Sequence, residues 1–581
     1  MFRRATLFVA LCLASSVTAG AQDTALQPEA GTGATSKDAV SSQKYMIVAA
    51  NPLAAEAGLE MLRRGGSAVD AAIASQLILG LVEPQSSGLG GGAFIIHWDA
   101  KSRALSTIDG RETAPSSATP DRFIRDGRPM PFMDAVRSGL SVGIPGVVRA
   151  MELAHQGHGR LPWGDLFAPA IKLAESGFRV PRRLALLLRW QGLDHFSAQA
   201  RAYFYDAADR PHAEGVLLKN PQYAATLRAI AKGGAAAFYQ GAIADAIVAA
   251  VAAAPRADGG MTTTDLASYR AETREPLCFA YRTHRICGMG PPSSGALTIA
   301  QTLKLIEPLD HVHGAQSRMS GTALHIMAEA QKLAFADRNR YIADPAFVPL
   351  PSGYLDDRYL ASRRSLIDAQ HAMPKPEAGF PPGLAQRSFG VDATLESAGT
   401  SHISIVDGDG NAVAMTTTIE NAFGSGLWAA GFLLNNQMTD FSFAPTDRNG
   451  VAIANAVAAG KRPRSSMAPT MVFDGSGNLE IVTGSPGGSR IILFVTKMLV
   501  ALLDWDMSAQ QAADLPNFGS EGGPVTIEYG GETVWPALVL KGYGHIVKTD
   551  MMTSGTHTIV RRGGRLEAGV DPRREGVALG D

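Results

Sequence analysis

Gly399-Thr400-Ser-His-Ile-Ser-Ile-Val406, Asp407-Gly-Asp-Gly-Asn411 and Ala412-Val-Ala-Met-Thr-Thr-Thr418-Ile419 follow one another without a break. The first block alternates small polar with apolar residues, the second is a dense turn signal, and the third reads as a second strand. Folding the stretch as a hairpin centred on Asp409 pairs Val406 with Ala412 and, by counting back, Thr400 with Thr418. Two hydroxyls then stand side by side at the hairpin's open end.

A threonine hydroxyl is a weak nucleophile and needs a base within hydrogen-bond reach. The chain offers no Gly-x-Ser-x-Gly elbow, no His-Glu-x-x-His and no Ser-x-x-Lys in a fitting context. An N-terminal threonine solves the problem with its own α-amine, whose pKa near ~8 lets it take the hydroxyl proton. Creating that amine requires breaking the bond before the threonine, and a glycine there leaves room for strained backbone. Gly399-Thr400 is compatible with this chemistry; taken alone it is equally the ordinary start of a strand.

Outward from the hairpin, Asn51-Pro52 opens a helix that Gly65-Gly66 closes, and a second helix from about residue 68 to 81 is apolar nearly all round. Gly88-Leu-Gly-Gly-Gly92 precedes Ala93-Phe-Ile-Ile-His-Trp98, which reads as a strand, whereas a phosphate-binding glycine loop needs a helix there. The chain from about 145 to 275 is helix-rich, including Ala242 to Ala254. His155 and His158 near one helix end read as surface or capping residues, because no nearby spacing completes a metal site. A helix from about Thr322 to Tyr341 carries Glu329, Lys332, Asp337 and Arg338, expected on a solvated face or in structural ion pairs. Ile491 to Leu503 reads as an apolar helix. If Arg282-Thr283 is a two-residue turn, Cys278 falls opposite Cys287, leaving either a cross-strand disulfide or two ordinary strand cysteines.

The bulk numbers agree with an enzyme of small molecules. The chain has 581 residues, 46% apolar and 18% charged, with net charge −1. That is a globular balance with no electrostatic case for nucleic acid or an anionic membrane. Arg3 and Arg4, an apolar stretch from Ala5 to Ala14 and Ala19-Gly20-Ala21 read as an export signal, cleaved before Gln22. Leu11 before Cys12 argues against a lipid anchor. The expected organisation is a signal at 1–21, a disordered lead-in at 22–40, and one globular domain over 41–581 with no membrane anchor.

Further blocks give the Gly-Thr company. Leu434-Asn-Asn-Gln437-Met-Thr-Asp440-Phe, Lys461-Arg-Pro-Arg-Ser465-Ser466-Met-Ala-Pro469-Thr and Thr483-Gly-Ser-Pro-Gly487-Gly488-Ser-Arg490 follow it in that order. Asp109-Gly-Arg111-Glu-Thr-Ala-Pro115, Gly66-Ser-Ala-Val-Asp70-Ala-Ala and Ala328-Glu-Ala-Gln-Lys-Leu-Ala-Phe-Ala-Asp337-Arg338 precede it. From about residue 44 onward the chain closely resembles the γ-glutamyltransferase family of N-terminal-nucleophile hydrolases. The resemblance implies an α+β, four-layer αββα sandwich matured by self-cleavage at Gly399–Thr400. It implies a large subunit of 41–399 and a small subunit of 400–581, which stay together as a heterodimer.

It also implies roles. Thr400 attacks the γ-carbonyl, Thr418 orients it, and the N–H groups of Gly487 and Gly488 form the oxyanion hole. Arg111, Ser465 and Ser466 take the substrate's α-carboxylate, and Asp440, helped by Gln437 and Glu420, takes its α-ammonium. No metal or cofactor is expected. The partners implied are glutathione-like γ-glutamyl compounds, with water or an amino acid or peptide as acceptor, in the periplasm or outside the cell. Glu420 stands where some members carry asparagine, and 441–460, where some have a lid, contains no tyrosine. A related acylase of the cephalosporin or glutaryl type is the alternative; it should not need an amine-binding carboxylate, and Asp440 with Arg111 argues against it. A non-catalytic binding protein would be expected to lack the threonine or the glycines, and both are present.

Overall fold

In the computed structural model, Thr400–Val406 and Ala412–Thr418 pair antiparallel with Thr400 opposite Thr418 and Val406 opposite Ala412, the register that the turn count requires. Asp407 builds the turn, its Oδ1 accepting from the amides of Asp409 and Asn411, each at 3.0 Å. The structure describes residues 31–33, 35–256, 258, 260–384, 389–396 and 399–581. The expected export signal lies outside them.

The hairpin is the middle of a seven-stranded sheet, with Met46–Ala49 and Val577–Gly580 on one side and Gly92–Asp99, Ala104–Gly110 and Glu272–Arg274 on the other. A second seven-stranded sheet runs Ser41–Ser42, Arg565–Val570, His557–Arg562, Leu479–Gly484, Thr470–Phe473, His284–Gly288, Leu277–Tyr281. Every strand pair in both sheets is antiparallel. Each sheet receives strands from both sides of residue 400.

Alternation along the strands sorts side chains into layers. Met46, Val48, Ile96, Ala412 and Ala414 of the first sheet meet Met471, Phe473, Val482, Ile559 and Ala568 of the second in one buried layer. The intervening residues Ile47, Ala49, Ile95, Ile403, Ile405 and Met415 face helices Pro52–Arg63 and Ala68–Val82. On the far side, Val472, Ile481 and Val560 face helices Gly321–Tyr341 and Ile491–Leu503. Helix, sheet, sheet, helix is the four-layer αββα sandwich expected, and burial of all four sheet faces explains why both hairpin strands are buried along their whole length.

The helices start where their caps put them. Asn51 Oδ1 accepts the Leu53 amide at 3.0 Å, and Ser67 with Asp70 forms a reciprocal capping box before Ala68–Val82. Glu329, Lys332, Asp337 and Arg338 of Gly321–Tyr341 are buried rather than solvated. Lys332 pairs with Glu329 at 2.8 Å, Asp337 with Arg363 at 3.2 Å, and Arg338 with Glu396 at 2.5 Å. His155 bonds the Leu161 carbonyl at 2.9 Å and His158 stacks on His97.

Cys278 and Cys287 lie opposite each other across the turn at Arg282-Thr283 and form a disulfide, with Cα atoms 4.1 Å apart. One expectation is corrected. Of the lead-in read as disordered over 22–40, the part described from residue 31 is docked: the amides of Thr32 and Thr35 bond the carbonyls of Arg573 and Pro572, and Lys37 reaches Gly576. Its composition is that of a loose chain, but its backbone groups find partners on the C-terminal segment. Among the described residues no helix is long and apolar enough to cross a membrane.

Phe473 is fully buried between the sheets, its ring 4.7 Å from that of Trp98. Phe473→Ala is expected to lower the free energy of unfolding by about 3–5 kcal/mol, read as a lower urea midpoint at unchanged slope.

Candidate active site at one end of the sheet sandwich

Thr400 and His402 share the face of their strand that carries Val406 into the inter-sheet layer, so Thr400 and Thr418 stand at one open end of that layer. The second sheet sends two loops to the same place. Ser465-Ser466 leads into Thr470–Phe473, and Gly487-Gly488 leaves Leu479–Gly484 for the helix Ile491–Leu503. Arg111 follows the strand Ala104–Gly110, and the short turn Gln437–Asp440 closes the wall. All the expected site residues line one cavity except Gly487, which precedes the lining residue Gly488 in a conformation with φ +138°. The cavity also takes in Met467, Ile491 and Glu396, which sequence reasoning missed.

The bond before Thr400 is held tightly. Thr418 Oγ1 donates to the Gly399 carbonyl oxygen at 2.6 Å and accepts the Glu420 amide at 2.8 Å. The Thr418 hydroxyl therefore addresses the carbonyl of the Gly399–Thr400 bond itself. Glycine is obligatory at 399: a Cβ there would lie 2.3 Å from the Glu420 carbonyl oxygen. Glu420 adopts φ +79°, a costly region for a residue with a side chain, and so brings its backbone against Gly399. Arg574 donates to the Thr400 carbonyl at 3.3 Å.

Behind the threonine the strand is pinned by polar groups. Ser401 donates to Glu83 at 3.1 Å, and Glu83 pairs with fully buried Arg183 at 3.0 Å. His402 bonds the Thr416 hydroxyl at 2.8 Å and the Ser404 hydroxyl at 3.1 Å. Burial, then the neighbouring His557, holds the His402 pKa well below its ordinary value, so the ring is a neutral tie between strands.

Arg111 and Asp440 form a buried ion pair at 2.5 Å. Arg111 also donates to the carbonyls of Pro463 and Arg464, and Gln437 donates to Asp440 at 2.9 Å. Glu420 accepts from Asn436. Burial raises the Asp440 carboxyl against the pull of Arg111. Glu112, 3.7 Å from Arg111, is pushed up to about 8 by burial and is neutral at pH 7. Glu396 behaves oppositely. Burial would raise it, but Arg338 and Arg464 beside it hold its carboxyl well below the usual range.

The 441–460 segment supplies no residue to the cavity lining. Its Phe443 stacks on Phe123, and Asn455 donates to the Asp440 carbonyl at 2.7 Å, so it buttresses the wall from outside. Away from the site, His325, Glu329 and His545 bring ligand atoms within 4.8 Å of one another. Lys332 sits among them, 2.8 Å from Glu329 and 3.2 Å from His545, and its ammonium takes the place a cation would have.

The family profile described as gamma-glutamyltranspeptidase matches residues 54–581. The chain belongs to the gamma-glutamyltranspeptidase family. It is 37% identical over 547 residues to the glutathione hydrolase proenzyme of Escherichia coli, covering 92% of this chain and 91% of that protein. It is 34% identical over 551 residues to the glutathione hydrolase proenzyme of Bacillus subtilis, with the same coverage. Among solved structures, cephalosporin acylase from Bacillus halodurans superposes with a TM-score of 0.81 at 26% identity, covering 95% of this chain and 98% of the acylase. The chain is thus similar both to proteins named glutathione hydrolase proenzymes and to one named a cephalosporin acylase.

Glu83→Ala is expected to cost about 3–5 kcal/mol in chemical denaturation, because it strips the carboxylate facing buried Arg183. Glu83→Gln, which keeps the shape and a hydrogen-bonding oxygen, should cost less.

Proposed function

We propose that the chain cleaves itself at Gly399–Thr400 and then cleaves γ-glutamyl amides such as glutathione through a γ-glutamyl ester on Thr400. The observation that carries this reading is the cavity in which Thr400 and Thr418 share walls with the Arg111–Asp440 pair. A guanidinium and a carboxylate in contact suit an amino-acid head group, whose α-carboxylate and α-ammonium replace each charge's partner with one of like geometry.

In maturation, Thr400 Oγ attacks the Gly399 carbonyl carbon, the C–N bond breaks, and an ester remains that water hydrolyses. The products are a new Thr400 α-amine and a Gly399 carboxylate. Thr418 Oγ1, already 2.6 Å from that carbonyl oxygen, supports the charge developing on it. One such donor is worth roughly 3 kcal/mol. In turnover, the α-amine takes the Thr400 hydroxyl proton as Oγ attacks the substrate γ-carbonyl, with the Gly487 and Gly488 amides as oxyanion donors. The leaving amine departs with a proton, and water or an acceptor amine releases the γ-glutamyl group. Arg111 with Ser465 and Ser466 holds the α-carboxylate; Asp440, Gln437 and Glu420 hold the α-ammonium. Maturation yields fragments ending at Gly399 and starting at Thr400, in the periplasm or outside the cell.

The likeness to cephalosporin acylase supports a second reading, an acylase for glutaryl-type side chains. Such an acyl group has no α-ammonium for Asp440 to meet.

On a denaturing gel the purified protein should resolve into two fragments, and Thr400→Ala should stay full length and inactive. An intact yet active wild type overturns the mechanism. Thr418→Val should slow fragment formation by about a hundredfold, on the oxyanion-donor scale, whereas Thr418→Ser should retain it. Release of the amine from a γ-glutamyl anilide, compared with the glutaryl anilide that lacks the α-amine, separates the two readings. Adding a dipeptide acceptor then divides hydrolysis from transfer.

A further inference from the structure

A second cavity, of about 800 Å³, opens beside the helix Ala242–Ala252 and shares no lining residue with the site around Thr400. A volume of this size holds a drug-sized molecule. Ala246, Ala249, Ala250 and Ala253 line it at the i, i+3, i+4, i+7 spacing of one helical face. Each presents only a methyl group, which leaves the space between the helix and the opposite wall unfilled. That wall is aromatic. Phe196 and Trp428 line it, and the indole N–H of Trp428 already donates to Gln222 at 3.0 Å. The Trp428 ring therefore offers the cavity carbon rather than a hydrogen bond.

The charged part of the lining is mostly cationic. Arg137 and Arg201 both line the cavity, against one carboxylate, Asp194. Arg201 donates through Nε to the carbonyls of Leu193 and Phe196, each at 3.0 Å. It meets Asp194 only at 4.0 Å, and that carboxylate is 95% exposed to water. Arg137 has less. Among the described residues no carboxylate stands at ion-pair distance from it, its guanidinium makes no hydrogen bond, and its Nε is buried. Burial, then the charge of Arg137, push the His195 imidazole in the same wall down to about 3, so that ring is neutral and adds no charge. The wall is also preformed. The Ser197 amide donates to the Gly426 carbonyl at 3.0 Å, and Gly426, at φ +73°, lies so close to the His195 carbonyl that a Cβ there would collide with it.

We propose that this cavity is a second binding site, for an aromatic carboxylate whose ring lies between Trp428 and the alanine face and whose carboxylate meets Arg137. The planar fork of a guanidinium takes a carboxylate with two N–H groups, and the ring removes the alanine and Trp428 surfaces from water. Neither half of such a ligand suffices alone. A bare anion leaves the apolar walls wet, and a neutral arene leaves Arg137 without a counter-charge. An amino-acid head group fits poorly, because its ammonium meets two guanidiniums and only the water-exposed Asp194. The site is therefore distinct in its ligand as well as its place from the cavity that holds Thr400, and it does not depend on the chemistry proposed there.

The test is titration calorimetry on the full chain with 4-phenylbutyrate as probe. The wild-type protein should bind one equivalent, and the Thr400→Ala chain should bind it equally well. Acetate, which lacks the ring, and 4-phenylbutanol, which lacks the charge, should each bind at least about tenfold more weakly, the loss expected of a missing charge-assisted contact or of its apolar counterpart. Arg137→Gln should weaken phenylbutyrate about tenfold or more while leaving the thermal midpoint and the turnover of a γ-glutamyl anilide unchanged. Ala249→Trp, at an exposed position of the helix, should block the cavity and abolish binding without unfolding the protein. Saturating glutamate should not displace the probe. Absence of phenylbutyrate binding, equal binding by Arg137→Gln, or displacement by glutamate overturns the proposal. The binding arms involve no turnover, so failure of γ-glutamyl hydrolysis leaves this site standing, and failure of this site leaves the reading of Thr400 untouched.

Discussion

The pairing of Thr400 with Thr418 across the central hairpin is the contact on which the site depends. Side chains alternate between faces, so a slip of one residue would turn Thr400 away from the inter-sheet layer and towards the helices. Burial of both sheet faces forbids that slip, because it would drive Ile403, Ile405, Val413 and Met415 out of their helical layer. The energy that positions the threonine is therefore the packing energy of the sandwich, delivered through register.

The same pairing explains how a chain can be cut between Gly399 and Thr400 and remain one body. Thr400–Val406 keeps Ala412–Thr418 on one side and Met46–Ala49 on the other whether or not Gly399 is attached. Each sheet interleaves strands from before and after the cut. Separating the pieces would open both sheets and three hydrophobic layers. Maturation can thus spend the Gly399–Thr400 bond on making an amine without a structural penalty of comparable size.

Charge at the site is organised by burial. Arg111 with Asp440, and Arg338 and Arg464 with Glu396 and Asp392, are pairs that water scarcely reaches. In such surroundings each charge demands a partner, and a ligand that brings both signs can exchange with the pairs already there. Glu112, kept neutral beside Arg111, leaves that guanidinium to Asp440 and to what enters the cavity.

The sequence by itself determined the local events. The Asp407–Asn411 turn residues and the alternation around them specified the hairpin and its register. The caps and apolar periods bounded Ala68–Val82 and Ile491–Leu503, and the turn at Arg282-Thr283 set Cys278 opposite Cys287. Such features are legible because the interacting residues are near one another in the chain. The motif order, through the family it resembles, implied Arg111, Asp440, Ser465 and Ser466 as site residues without saying which groups of the chain each touches. Only the tertiary structure decided that Thr418 addresses the Gly399 carbonyl and that Arg111 grips Asp440. It also decided that Glu329, Lys332, Asp337 and Arg338 are buried, that Thr32 and Thr35 dock on the C-terminal segment, and that Glu396 enters the cavity. These depend on partners far away in the chain, and a charged residue looks the same in sequence whether water or a buried counter-charge will satisfy it.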